Sequence, residues 1–260
     1  MTTRVAAVRY FETRVLVYRH TWRGSVITTF LTPILYLTAM GLGLGTLVDE
    51  GTGQTALEGF SYLEFLAPGL LAATAMQTAV GDGSYPVMAG IRWLRSYEAT
   101  LASPIGVRDL TLGHLMWILA KVTFSSVVFV AVMVAFGVTD PVRGIASLAP
   151  ALLTGLAFGA PVMAYTATLE DAQGIAALFR FGVVPMFLFS GVFFPISQLP
   201  RLLELAAYAT PLWHGVELTR AVALGVPATS PPLLSVAYLV AWFGAGTIAA
   251  ITLLRRRLVI

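Results

Sequence analysis

The sequence has no cysteine, a single lysine and few charged residues of either sign. Without cysteine the chain has no disulfide framework, no thiolate metal site and no cysteine nucleophile. Only 11% of its 260 residues are charged and 57% are hydrophobic, with a mean hydropathy of +0.82, whereas about a quarter of the residues of a soluble domain are charged. This balance predicts an integral membrane protein.

Motifs of membrane-bound enzymes are missing as well. Lys121 follows Ala120, so the chain lacks the Gly-Lys pair of a phosphate-binding loop, and it has neither a GxSxG elbow nor an HExxH helix. The acidic residues lie in loops or at the ends of apolar windows, whereas an ion-driven transporter places carboxylates near the midplane. The sequence therefore predicts a conduit with no catalytic residue, cofactor or metal of its own, driven by energy from elsewhere.

Six apolar windows have the ~20 residues that a spanning helix needs. They are residues 26–47, 62–80, 112–136, 148–167, 175–194 and 233–254. Arginines gather before the first window, in the loop after the second and at the end of the chain, so both termini and that loop are predicted to be cytoplasmic. The predicted fold is an all-α polytopic membrane protein whose single transmembrane domain covers residues 1–260.

Residues 1–24 form a basic segment before the first window. On a helical wheel, Arg9, Glu12, Arg19 and Arg23 share one face, a pattern typical of a helix that lies in the membrane interface. A basic tail that only sets the topology is the alternative.

Lys121 lies more than a turn inside the third window, where a charge is costly and often functional. Its stem can also snorkel to the cytoplasmic interface. We favour snorkelling.

Residues 81–111 form the predicted cytoplasmic docking loop. A helix is predicted over residues 87–102, with Pro86 in its first turn and Ser103-Pro104 ending it. Its mixed apolar and charged surface suits a groove on a soluble partner, and an interfacial helix that touches only headgroups is the alternative. The predicted contact residues are Ile91, Arg92, Leu94, Arg95 and Glu98.

Residues 195–232 form a long external segment that prolines divide into two short apolar helices, at 199–208 and 212–224. Such a pair predicts a hairpin that dips into the outer leaflet. One His and one Glu on the second helix are too few ligands for a metal. We predict an external gate, with an ordinary solvated face as the alternative; its residues are Phe194, Pro195, Trp213, His214 and Glu217.

Ordered motifs run along almost the whole chain. They are FLAPGLLAATAM at 65–76, YEATLASP at 97–104, Asp109 with Gly113 and Lys121, FSGVFFP at 189–195 and PLWH at 211–214. Together they resemble the ABC-2 type transporter permeases, in particular the nodulation-protein-J-like group of lipo-oligosaccharide and drug exporters.

This resemblance implies a six-helix permease in a bacterial inner membrane that pairs with a second permease, identical or related, and with two copies of an ABC ATP-binding subunit. That subunit would bind ATP and Mg. An interface helix, a coupling helix and re-entrant helices would fall at residues 5–22, 87–102 and 199–224.

The resemblance also implies export of an amphipathic substrate: a lipo-oligosaccharide, glycolipid, polysaccharide or hydrophobic drug. Tyr36, Trp117 and Phe187 are the aromatic candidates for lining its path, with core packing as the alternative role. A stand-alone channel or secondary carrier is the competing function. A membrane-embedded enzyme has no catalytic constellation to support it, and nothing in the sequence indicates a nucleic-acid partner.

Overall fold

The computed structural model describes residues 3–45, 57 and 59–259, and throughout these residues the regular structure is helical. Ten α-helices are described. They are α1 (Thr3–Tyr36), α2 (Tyr62–Gly83), α3 (Tyr85–Met88), α4 (Ser96–Leu101), α5 (Val107–Ala135), α6 (Pro141–Thr168), α7 (Gln173–Phe189), α8 (Arg201–Tyr208), α9 (Pro211–Leu224) and α10 (Pro232–Leu258). Stretches of π-helix occupy Leu37–Leu44, Ala89–Trp93 and Phe179–Val183, the last of them inside α7.

Five of the described helical runs are long and apolar enough to cross a membrane. They are Trp22–Gly41, Tyr62–Trp93, Val107–Ala135, Pro141–Thr168 and Pro232–Leu258. The remaining predicted span, α7, is apolar but has only 17 residues, at the lower limit of what spans a bilayer. It ends at Phe189 rather than at residue 194, because the chain turns at Ser190 and Gly191, whose φ is +79°.

Helix α6 is the central element. It packs against α2, α5, α9 and α10. Glycines permit this closeness: a methyl group on Gly155 would lie 2.8 Å from Val122 of α5, and one on Gly159 would lie 3.1 Å from Ile118. The core is therefore built from helix faces that meet across small residues, as in other membrane bundles.

The basic N-terminal segment and the first span form one uninterrupted helix, α1, which continues into the π-helix at Leu37–Leu44. The last two residues of the predicted window, 46 and 47, lie outside the described residues. Helix α1 runs along α5, where Gly113 lets the α1 backbone approach so closely that a methyl group there would lie 2.6 Å from the Ala7 carbonyl oxygen. How α1 lies relative to the bilayer stays a prediction.

The prediction of one helix over residues 87–102 is wrong. After a bend at Ser84, helical backbone resumes in α3 and Ala89–Trp93, and then breaks at Arg95, whose φ is +49°. A left-handed residue cannot continue a right-handed helix, so α4 starts afresh at Ser96.

The two external helices were predicted more accurately. Helices α8 and α9 begin within two residues of the predicted starts and end at Tyr208 and Leu224, as predicted. Gly225, with a φ of +72°, provides the left-handed residue that ends α9. Their depth in the outer leaflet stays a prediction.

Candidate functional site

The break at Arg95 creates an exposed turn between the second and third spans, which we call the docking surface: Trp93, Leu94, Arg95, Ser96 and Glu98. All five residues are exposed, and the side chains of Trp93 and Leu94 are 58% and 75% exposed. A large apolar pair exposed among charged neighbours is typical of a surface that contacts a partner.

The predicted contact residues do not all reach this surface. Leu94, Arg95 and Glu98 do, but Ile91 is only 5% exposed and packs in the core. Arg92 is exposed and pairs with Glu170, in the link between α6 and α7. Sequence reasoning missed Trp93, although its place in a polar loop was a usable signal.

The docking surface rests on a rigid base. The ring of Tyr97, 1% exposed, lies directly over Gly90, so any larger side chain at position 90 would collide with it. Glu170, the partner of Arg92, also lies 3.6 Å from Arg257 near the end of α10. Arg257 in turn donates to the Ala167 carbonyl oxygen at 2.6 Å. The turn is therefore fastened to both the core and the last span.

Lys121 has a partner that the sequence did not indicate. Its Nζ lies 3.4 Å from Oδ2 of Asp82, near the end of α2, and the two side chains are only 24% and 13% exposed. Trp117 donates from Nε1 to the other oxygen, Oδ1, at 3.4 Å. The Lys121 ammonium is thus held by a carboxylate of the preceding span, whereas the favoured prediction was that it snorkels to the interface.

The aromatic candidates for the substrate path fall into two clusters. Trp117 is buried between α5 and α1, with its ring 5.3 Å from that of Tyr18. Tyr36 and Phe187 contact each other edge to face at 6.5 Å. Their role in lining a path stays a prediction.

On the opposite side of the bundle from the docking surface, α8 and α9 border a cavity of about 230 Å³. Aromatic rings and one ion pair line it, and the residues that define it are Phe60, Phe65, Tyr208, Trp213, Glu217 and Arg220. Of the predicted gate residues, Pro195, Trp213 and Glu217 line the cavity. Phe194 is half-buried outside it, and His214 is 6% exposed and faces α10 instead.

Arg220 is the residue of this region that the predicted gate omitted. Its guanidinium donates to the carbonyl oxygens of Phe65 at 3.2 Å and Gly191 at 2.8 Å. It also lies 3.5 Å from the Glu217 carboxylate and 3.8 Å from the centre of the Phe65 ring. The i, i+3 spacing of Glu217 and Arg220 on an apolar helix was the available signal.

His214 joins α9 to α10. Its Nδ1 lies 2.9 Å from Ser235 Oγ, which in turn lies 2.8 Å from Ser230 Oγ. Burial lowers the pKa of His214 below its ordinary value, more than the Tyr208 carbonyl and the Glu217 charge raise it. The lowered pKa favours the neutral ring, which links α9 to α10 through its hydrogen bond with Ser235. Among the described residues, no three His, Asp or Glu side chains gather as they would around a metal ion.

Comparison with known proteins gives a consistent result. Residues 11–224 match the protein family described as "ABC-2 type transporter". The chain is 30% identical over 204 residues to Nodulation protein J of Rhizobium meliloti, and this alignment covers 78% of this chain and 76% of that protein. It is 29% identical over 243 residues to Nodulation protein J of Bradyrhizobium diazoefficiens (94% and 90%), and 20% identical over 200 residues to Inner membrane transport permease YadH of Escherichia coli (77% of each).

Proposed function

Because the chain belongs to the ABC-2 type transporter family of membrane transport permeases, we propose that it is the transmembrane subunit of an ATP-driven exporter. A separate ABC ATP-binding subunit, in two copies, would bind ATP and Mg, and this chain would be the non-catalytic conduit. A second permease, identical or related, would complete the complex in a bacterial inner membrane.

The observation that carries this proposal is the docking surface. Leu94 is a large apolar side chain, 75% exposed, on a turn that Tyr97 and Ile91 anchor in the core. Together with the neighbouring Trp93, 58% exposed, it forms an apolar patch of the kind that a partner protein covers. An anchored turn with exposed apolar residues between charged ones suits a groove on a soluble subunit. Movement of that subunit would then displace the second and third spans, which the turn connects.

The external cavity supports an amphipathic substrate. Rings such as those of Phe65 and Trp213 can stack on sugars or pack on acyl chains, while Glu217 provides a hydrogen-bonding group. Lipo-oligosaccharides, glycolipids, polysaccharides and hydrophobic drugs share this combination of faces. We propose that the cavity lies at the exit of the export path and that α8 and α9 border its gate.

The test is to identify the ATP-binding protein that co-purifies with the tagged chain and then to measure its affinity for variants. Leu94→Ala removes the exposed apolar tip and is expected to weaken association by at least about tenfold, as for a typical interface hot spot. Leu202→Ala is the matched control, because Leu202 is equally exposed, at 79%, but lies on external α8.

Unchanged affinity in the Leu94 variant would contradict the docking role. Transport of a fluorescent phospholipid by the purified chain alone, in liposomes without ATP, would instead favour a stand-alone carrier.

A further inference from the structure

Three helices contribute side chains to one polar cluster on the predicted cytoplasmic side of the bundle, and a fourth helix covers it. Its members are Tyr97 on α4, His114 and Lys121 on α5, and Asp82 on α2, and we call these four residues the polar chain. Tyr97 and His114 are 1% and 0% exposed. Helix α1 covers the cluster, with the Tyr18 ring 5.2 Å from Lys121 Nζ.

The hydrogen bonds of the polar chain have a direction. His114 Nε2 lies 2.9 Å from the Asp82 backbone carbonyl oxygen, which can only accept, so Nε2 donates. Nδ1 of the neutral ring is then left to accept, and the Tyr97 hydroxyl, which also contacts Tyr10 of α1, lies 3.3 Å from it. Burial raises the pKa of Tyr97 well above its ordinary value, so this hydroxyl keeps the proton that it donates.

Asp82 contacts the third span, α5, through its side chain as well as through its backbone oxygen. The backbone oxygen binds His114, Oδ1 accepts from Trp117, and Oδ2 faces Lys121 at 3.4 Å. These three contacts lie along two turns of α5. A shift of α5 along its own axis therefore changes all three distances to Asp82 together.

Helix α4 has no other buried side chain that could carry such a shift. Tyr97 is the single buried residue of α4, and its hydroxyl is bonded to the polar chain. Movement of the docking surface therefore reaches α5 through Tyr97, whose ring also contacts Gly90 and, on α1, Tyr10.

Stability alone is a weak reason for these charges. A buried ion pair repays its desolvation only partly, and apolar residues of the same size are often as stable. A charge pair does, however, fix one register between two helices, because a sliding helix must break it before finding another arrangement.

We propose that the polar chain couples the docking surface to the second and third spans, with the Asp82–Lys121 pair holding their resting register. Tyr97, His114, Asp82 and Lys121 are positioning residues, since they act through the helices rather than on a substrate. This inference rests on the proposed function and adds the path by which a bound ATP-binding subunit changes the conformation of the external helices.

The test uses the complete complex with its ATP-binding subunit in lipid nanodiscs. Because the chain has no cysteine, Ser197→Cys can carry a bimane fluorophore at the rim of the external cavity as the only thiol of the permease. Emission is recorded without nucleotide and with ADP and vanadate. Binding of the ATP-binding subunit, ATP hydrolysis and the melting temperature are measured on the same samples.

The informative variants are Asp82→Asn, Lys121→Met and Tyr97→Phe. We expect each to bind the ATP-binding subunit and to hydrolyse ATP, but the nucleotide-dependent emission change is expected to fall at least about fivefold, the lower end of a typical coupling between sites. The double exchange of Asp82→Lys with Lys121→Asp is expected to recover most of the change. Rescue by exchanged charges is a result that a merely space-filling role would not produce.

Tyr165→Phe is the matched control for Tyr97→Phe, because it also removes one bonded hydroxyl, the donor to the Gly174 carbonyl oxygen at 3.2 Å. It is expected to leave the emission change intact. If an ionic variant does not fold, Tyr97→Phe decides the question, since it keeps the ring that packs on Gly90.

A full emission change in Tyr97→Phe or in both ionic variants would overturn this inference and leave the proposed function standing. If the Ser197→Cys protein with no further substitution shows no nucleotide-dependent emission change, both this inference and the proposed function are overturned.

Discussion

At the scale of single residues, Arg220 holds the second external helix to the bundle. It bonds two backbone oxygens outside α9 and pairs with Glu217, and both charged side chains are nearly buried, at 12% and 13% exposure. Arg220→Met leaves those acceptors and the carboxylate unpaired, so we expect a loss of roughly 2–4 kcal/mol and a melting temperature lower by several degrees.

Arg201→Met is the control for that measurement. Arg201 forms an i, i+3 pair with Glu204 in the same way, but it is 75% exposed, and such pairs contribute little. Equal melting temperatures for the two variants in detergent would show that burial of the Arg220 pair does not stabilise the fold.

His214 makes the stability of the external region depend on pH. Burial lowers its pKa in the folded protein, while the unfolded chain has the ordinary value of about 6.5. The neutral ring therefore contributes its full stability above about pH 6.5, and this contribution declines as the pH falls from there through the folded-state pKa. We expect wild-type protein to melt above His214→Gln at pH 8 and the difference to shrink at pH 5.

A difference for His214→Gln that stays constant from pH 8 to 5 would rule out His214 as the titrating group.

At the scale of helices, the left-handed backbone at Arg95 is what separates α4 from the second span. Asn adopts this conformation readily, whereas a β-branched residue does so at a cost of about 1–2 kcal/mol. Arg95→Asn is therefore expected to keep the turn and Arg95→Val to disturb it, although both remove the same charge. Amide hydrogen exchange over residues 89–101 should be faster only in the valine variant, and equal exchange in both variants would show that the turn does not depend on this residue.

The apolar windows predicted most helix positions correctly, because burial in lipid requires long apolar runs and closed backbone hydrogen bonds. The turn at Arg95 was missed, since neither glycine nor proline marks it. The helix predicted over residues 87–102 was also treated as separate from the second span, whereas only a bend at Ser84 separates that span from the helical backbone that runs as far as Trp93. Hydropathy falls after residue 80, but α2 continues to Gly83 and helical structure resumes at Tyr85.

Residues of the site were predictable only where neighbours along the chain decide their surroundings. Leu94 was predicted as a contact residue on the face of a helix over 87–102, and it is exposed although that helix is interrupted at Arg95. Ile91, only three positions earlier, is buried because the core continues up to it. The partner of Lys121 is Asp82 in the preceding span, and no helical periodicity within one element relates the two.

At the scale of the whole molecule, α6 is clamped at both ends. Arg143, in its first turn, donates to the Leu224 carbonyl oxygen at 2.9 Å, and Thr139 just before it donates to that of Ala223 at 2.6 Å. Near the other end, Arg257 bonds Ala167. Helix α6 is therefore joined to α9 at one end and to α10 at the other. The docking surface connects to α2 and α5 through the polar chain, and its neighbour Arg92 connects to α10 through Glu170.

Docking of an ATP-binding subunit and export both depend on the predicted orientation of the bundle in the membrane. Arginines before the first span, at the docking surface and at the end of α10 predict that these segments lie in the cytoplasm. Ser96 and Ser197 are both exposed and lie on opposite sides of the predicted topology. In a chain without cysteine, Ser197→Cys should react with a membrane-impermeant maleimide in intact spheroplasts, while Ser96→Cys should react only after permeabilisation. Labelling of Ser96→Cys in intact spheroplasts would place the docking surface outside the cell, where no ATP-binding subunit could reach it, and the proposed exporter would fail with it.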